Sequence, residues 1–421
     1  MERKHVTRNG VSVYEYKNPA THGFFISLFL KAGSMFEEDG ESGITHFLEH
    51  TLIRNVNKVM DFRLYSELDS HGVEFNASTY SEMVQFYVSG GSANFSFGAE
   101  VISRLLSPIA LTRGEIDAER RRIKAEIREG DDRTSLASFS NGVVHEGTAL
   151  AKPITGTLGS VGKITLSALE EYRRRVFVSD NFFFYVTGNF TDEDIEKLVS
   201  LIESCEVRYG KSNRNIAPVS KNFLSRSGDV FVKNADYTML RFNFDLNMPK
   251  LSVPKTDLLY DMLLSGYNSR LFIEMSEERG LLYDLNGALE RYCNAGQLYF
   301  SFEVKERDIY DALKLTVSIL KEIKQTLPDE KDCMKAGYVD NAYMLYDDQR
   351  DLNFTFAYDN HIMGLGYASV EERRSAYASV TPFDIKSTAC EIFSINNLTL
   401  TVKGNKKRID TARLKDIING L

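Results

Sequence analysis

The chain has 421 residues, of which 43% are hydrophobic and 26% charged, with 27 Phe, 21 Tyr and no Trp. That length exceeds one ordinary domain, and the composition is that of a soluble globular protein. A net charge of −8 argues against nucleic acid as a partner, which calls for a basic field, and no run approaches the ~20 apolar residues of a membrane span. It permits an acidic interior that attracts basic peptides. The cysteines (205, 293, 333 and 390) lie far apart with no C-x-x-C pair, so they are expected to be free thiols in a reducing compartment. Met1 to His5 lead into alternating residues with no apolar h-region, and a cytoplasmic location is expected.

In chain order, 12–16 and 23–31 read as strands, the second dense in aromatic and branched residues. A loop over 37–43 leads to a helix, and 59–70 is helical in pattern. Strand patterns follow at 73–79 and 83–88, then an amphipathic helix at 93–106. Thr112, with Glu115 three residues on, forms a capping-box pattern opening another helix, with Ile116, Ile123 and Ile127 as its apolar stripe. A Gly-rich loop (156–162), a helix (167–176), a strand (181–187) and a helix to about 204 complete the first half. Residues 209–228, rich in Lys, Asn, Ser and Arg, read as a linker. The order then restarts: strands at 229–233 and 239–247, a helix at 255–264, another opened by 266–272, strands within 288–304, helices at 309–324, 330–346 and 353–363, a helix capped by Thr381, and a strand at 397–403. This predicts a divergent duplication: a domain over 1–208, the linker, and a homologous domain over 229–421.

One stretch carries chemistry. In His46-Phe47-Leu48-Glu49-His50 the histidines are four apart, on one helix face, so two imidazoles can converge on one ion. Glu49 lies on the neighbouring stripe, within reach of a water at that ion. H-x-x-E-H reverses the commoner H-E-x-x-H zinc motif. A catalytic zinc needs a third ligand and an open position. The candidate is Glu126, 76 residues after His50, and Glu119, seven earlier and on the same side, suits an outer role holding an imidazole N–H. On residues alone, an ordinary helix with two histidines and a solvated Glu/Arg face is the alternative.

The H-x-x-E-H stretch with Glu126 and Glu119 at these spacings resembles the pitrilysin/insulinase family of zinc peptidases, the family of the mitochondrial processing peptidase. Phe75-Asn76-Ala77-Ser78-Thr79-Tyr80 resembles its N-A-x-T strand, and Pro153-Ile154-Thr155-Gly156-Thr157 its P-x-x-G-T loop. Asn181 to Asn189 resembles its strand ending in G-N. Ser269-Arg270-Leu271-Phe272 and Gly280-Leu281-Leu282-Tyr283 resemble S-R-L-F and G-L-x-Y. The resemblance implies an α+β fold of two homologous domains, each a mostly antiparallel sheet packed by helices. It implies Zn2+ held by His46, His50 and Glu126, with Glu49 as general base and Glu119 orienting His50. Asn76 and Ala77 would lie on an edge strand that pairs with an extended peptide substrate.

The resemblance also implies a second domain that grips substrate with an arginine and a tyrosine. The tyrosine matches Tyr283, but the arginine position is Ser276, with Arg279 and Arg270 as candidate replacements or a partner subunit supplying the group. Short chains of this family assemble in pairs around a chamber, so a homodimer, or a heterodimer with a homologous subunit, is expected. The expected function is zinc-dependent endopeptidase action on peptides or unfolded segments. The alternative is a non-catalytic scaffold or regulatory subunit of a heterodimeric peptidase complex.

Overall fold

Two sheets carry the chain in a computed structural model that describes residues 1–130, 135–211, 228–282 and 284–421. The first contains β1 (Arg3–Val6), β2 (Ser12–Lys17), β3 (Gly23–Leu30), β4 (Glu74–Thr79), β5 (Val84–Gly91) and β6 (Phe182–Gly188), in the order β1-β2-β6-β3-β5-β4. Strands β3 and β6 are central and buried almost throughout. This explains their nearly continuous apolar runs, broken only by Ser27 and Thr187, since a strand covered on both faces has no solvent side to alternate with. Phe24, Ile26, Leu28 and Leu30 join one core with Phe47, Leu48, Leu52 and Val56 of helix α1 (Ile44–Val59). Between them Phe25, Ser27 and Phe29 face the other way. There Ser27 donates to Asn353 Oδ1 at 2.7 Å and Phe29 meets Phe354, both on the helix Gln349–Ala357.

The second sheet contains β7 (Asp229–Asn234), β8 (Thr238–Leu246), β9 (Leu285–Arg291), β10 (Gly296–Val304) and β11 (Leu398–Gly404), in the order β7-β11-β8-β10-β9. Its pairing repeats that of the first. The β2–β6 and β7–β11 pairs are parallel, and every step after them is antiparallel. Side chains match as well: Tyr87 lies opposite Ser27 and Tyr299 opposite Asn243, each with a buried glutamine two residues earlier, Gln85 and Gln297. The chain is therefore two homologous α+β domains with mostly antiparallel sheets packed by helices.

The domains are not the continuous stretches 1–208 and 229–421. One unit is Met1–Asp131, Lys152–Ile216 and Tyr343–Val370, and the other is Asp132–Ala151, Ala217–Ala342 and Glu371–Leu421. The helix Leu136–Val144 packs within the second unit, where Ser140 hydrogen-bonds Thr401 of β11. The helix Gln349–Ala357 packs within the first. Each sheet has two faces to cover, and a segment from the other half of the sequence packs on the one that carries Ser27 in the first sheet and Thr401 in the second. Local patterning shows that a helix has an apolar face, not which sheet it serves. Most of the expected linker, residues 212–227, lies outside the described residues.

Two helix expectations are corrected. The stretch 59–70 is broken at Asp61 and Phe62, both left-handed (φ 54° and 62°), so α1 ends at Val59 and α2 spans Leu64–His71. The stretch 330–346 forms short turns, Glu330–Cys333, Ala336–Val339 and Ala342–Tyr346, interrupted by left-handed Met334. The Thr112 capping box is present: Thr112 N–H donates to Glu115 Oε2 at 2.8 Å, and Glu115 N–H to Thr112 Oγ1 at 3.4 Å. None of the four cysteines is joined in a disulfide. Among the described residues no helix is long and apolar enough to cross a membrane.

Candidate metal centre

The centre lies within the first unit, where α1 meets the helix α4 (Arg113–Gly130; by this numbering α3 is Phe95–Ser103). Ile116 and Ile123 bury the apolar stripe of α4, which brings Glu119 and Glu126 to the histidine face of α1. One turn of helix sets the His46 and His50 rings 4.7 Å apart at 69°. Glu126 reaches both: its Oε1 lies 3.5 Å from His46 Nε2 and its Oε2 3.6 Å from His50 Nε2. One ligand atom from each residue falls within 4.8 Å of the others.

This set fits zinc. Two imidazoles and a carboxylate are zinc donors, and metal–ligand bonds of ~2.0–2.1 Å place tetrahedral ligands roughly 3.3 Å apart. Separations of 3.5 and 3.6 Å are close to that edge and long for direct hydrogen bonds. Burial, then the neighbouring His50, lowers His46 to about 4, so its ring is neutral and offers a lone pair.

Beside this cluster, Glu119 is almost fully buried and divides its two oxygens. Oε2 faces His50 Nδ1 at 3.4 Å, and Oε1 accepts from Arg54 Nη1 at 2.5 Å. Burial alone would raise Glu119; the bonds with His50 and Arg54 outweigh it and hold the carboxyl below its ordinary range. Burial likewise opposes charge on His50, yet Glu119, Glu49 and Glu126 together push its pKa up. Glu49 is 8% exposed. Burial raises its pKa, and the Thr79 hydroxyl, donating to Oε2 at 2.5 Å, works against that rise. A carboxylate displaced toward neutrality beside a metal site suits proton transfer.

Asn76 and Ala77 lie on β4, the outer strand of the sheet, and Asn76 Oδ1 accepts from the Ala77 N–H at 2.8 Å. A cavity of about 370 Å3 is lined by Glu49, His50, Arg54, Asn76 and Glu119, with Phe62 at its wall. Gly156 of the P-x-x-G-T stretch packs on Gly43 just before α1. A Cβ on Gly43 would lie 2.8 Å from Gly156 Cα, so the two backbones touch. Thr157 then caps the next helix, accepting from Ser160 N–H at 3.0 Å.

In the second unit Tyr283 lies outside the described residues. Ser276 donates to the Leu282 carbonyl at 3.1 Å, a local tie. Arg270 is held by Glu274 and Glu322 at 2.8 and 2.9 Å, while Arg279 is exposed. Sequence reasoning missed Arg54 and gave Thr79 no role. Arg54 had a signal: it lies one turn after His50 on the same helix face.

These two domains and this His–His–Glu cluster define a zinc-protease-like chain, and comparison with known proteins narrows the class. Residues 12–157 match the family model of insulinase, peptidase family M16, and residues 163–336 match that of the peptidase M16 inactive domain. The chain belongs to the M16, or pitrilysin/insulinase, family. A Rickettsia bellii protein described as an uncharacterized zinc protease is 27% identical over 417 residues, covering 94% of this chain and 96% of its own. A Helicobacter pylori protease superposes with a TM-score of 0.84 at 16% identity, over 96% of this chain and 99% of that one. The first half of the periplasmic protease PqqL from Escherichia coli gives 0.81 at 16% identity, over 99% and 96%. These two structures share the fold.

Proposed function

We propose that the chain is a zinc-dependent endopeptidase that cleaves peptides or unfolded segments, with Glu49 as general base. The convergence of His46, His50 and Glu126 beside a buried Glu49 carries this reading. When bound, zinc supplies a Lewis acid for the scissile carbonyl and a nucleophile at neutral pH. The protein's own groups do the rest. His46 and His50 offer Nε2, and Glu126 adds the negative charge. Glu119, fixed by Arg54, holds His50 Nδ1 and so its ring orientation. Glu49 accepts the proton of the attacking water and delivers it to the leaving amine, with Thr79 fixing one of its oxygens. The β4 edge binds an extended peptide through main-chain hydrogen bonds.

Glu49→Gln is the direct test. It should retain zinc and lose activity by roughly 10²–10⁴-fold. Wild-type turnover in that variant, or in chelated protein, would sink the reading. The match of residues 163–336 to an inactive-domain model supports a second reading, a non-catalytic scaffold or regulatory subunit. Metal analysis separates the two, because a scaffold need not hold stoichiometric zinc. The enzymatic reading includes assembly as a homodimer or with a homologous subunit, which sedimentation analysis would test.

A further inference from the structure

Helix α1 begins without a cap of its own. Its N-cap residue is Gly43, left-handed at φ 88° and without a side chain to accept a hydrogen bond. The first N–H groups of a helix need acceptors; the Glu41 carbonyl accepts from Ile44 N–H at 2.8 Å, and Glu37, six residues before Gly43, takes the N–H groups on either side of Ile44. Its Oε2 accepts from Gly43 N–H at 2.9 Å and its Oε1 from Thr45 N–H at 3.0 Å. Glu37 is 3% exposed. A buried carboxylate is costly unless its charge is answered; burial raises the Glu37 pKa, and the Thr45 and Gly43 N–H groups at the positive end of the helix work against that rise.

The same short stretch is tied down from several sides. Lys152 donates to the Glu37 carbonyl, Met35 N–H donates to Ser81 O at 2.8 Å, and Thr45 Oγ1 bonds Tyr172 OH at 2.7 Å. Ser42 adjoins Gly43, yet the helix is capped by a buried acid from the preceding loop. That turns the start of α1 from a local feature into a tertiary constraint. The next residue after Thr45 is His46.

We infer that Glu37 is a positioning residue for the metal centre: by clamping the first turn of α1 it sets where His46 stands opposite Glu126, and so sets zinc affinity. The inference rests on the zinc reading above. It is tested on the full chain by chelator competition for zinc with the metal-free protein. Glu37→Gln should keep the wild-type far-UV spectrum and bind zinc roughly 10–100-fold more weakly, as expected when the support of a ligand is lost. At saturating zinc its kcat should fall with KM little changed.

Leu198→Ala is the control, since Leu198 is fully buried on the helix Asp192–Glu203 of the same unit. It should lower the melting temperature and leave zinc affinity alone. Wild-type affinity in Glu37→Gln, or equal weakening in Leu198→Ala, overturns the inference. If Glu37→Gln does not fold, Glu37→Asp, which keeps the charge and shortens the reach, carries the same test. If neither folds, Glu37 is a folding determinant and the inference falls. A wild-type chain that binds no zinc defeats the zinc reading instead.

Discussion

The Thr79 hydroxyl donates to Glu49 Oε2 at 2.5 Å, linking the edge strand of the first sheet to the proposed general base. The residue that closes the N-A-x-T stretch thus fixes an oxygen of the carboxylate proposed to move a proton.

Removing that donor has a definite sign. The bond favours the ionised carboxylate, so Thr79→Val should raise the Glu49 pKa further. The acidic limb of the kcat/KM–pH profile should move to higher pH by about one unit, since a charge-assisted hydrogen bond is worth ~1.5–3 kcal/mol and one unit is ~1.4 kcal/mol. An unmoved limb would show that Thr79 does not act on the base.

Arg54 and Glu119 should behave as one unit. Arg54→Met removes the closer of the two arginines on a buried carboxylate, leaving Arg122 Nη1 at 3.5 Å. Zinc affinity should drop roughly 10–100-fold in Arg54→Met and in Glu119→Gln. The double variant should lose much less than the sum. Additive losses in the double-mutant cycle would contradict a shared action through His50.

Phe62 is left-handed at φ 62° with its side chain 58% exposed. That backbone costs an L-residue roughly 1–2 kcal/mol, whereas introducing glycine costs about 0.4–1 kcal/mol through the unfolded chain. Phe62→Gly is expected to stabilise the protein by up to ~1 kcal/mol, read from urea unfolding. A comparable loss would mean that the ring's approach to Lys58, 5.1 Å from Nζ to the centroid, outweighs the strain.

Zinc removal and acid should compound. A ligand at a thousand times its Kd stabilises by ~4 kcal/mol, so a chelator should lower the melting temperature. In the metal-free protein, burial holds His46 and His145 at about 4, against about 6.5 in an unfolded chain. Between those values the unfolded state binds more protons, so stability should fall as pH drops from about 6.5 towards 4. His50, displaced upward, acts in the opposite sense, its contribution being lost as pH rises through its folded pKa. Urea midpoints at pH 7 and pH 5, with and without His46→Gln, measure the balance.

Much of this was readable along the chain. The apolar runs of β3 and β6 marked strands covered on both faces, and the Thr112–Glu115 pair marked the start of α4. The helix break at Asp61–Phe62 was not readable, because Asp only modestly favours a left-handed backbone and Phe does not announce one at all. The failed helix over 330–346 has a similar cause: Met334 gives no sign that it turns left-handed.

His46 and His50 are the part of the centre legible along the chain, since one helix and its 3.6-residue period suffice to place them together. Everything that completes the centre crosses between elements: Glu126 and Glu119 from α4, Thr79 from β4, Glu37 from the loop before α1. So does the assignment of the helices at 136–144 and 349–357 to their sheets. Periodicity tells which face of a segment is apolar. Only packing decides what that face meets, because the partner is chosen by shape and burial across the whole domain rather than by neighbours in the chain.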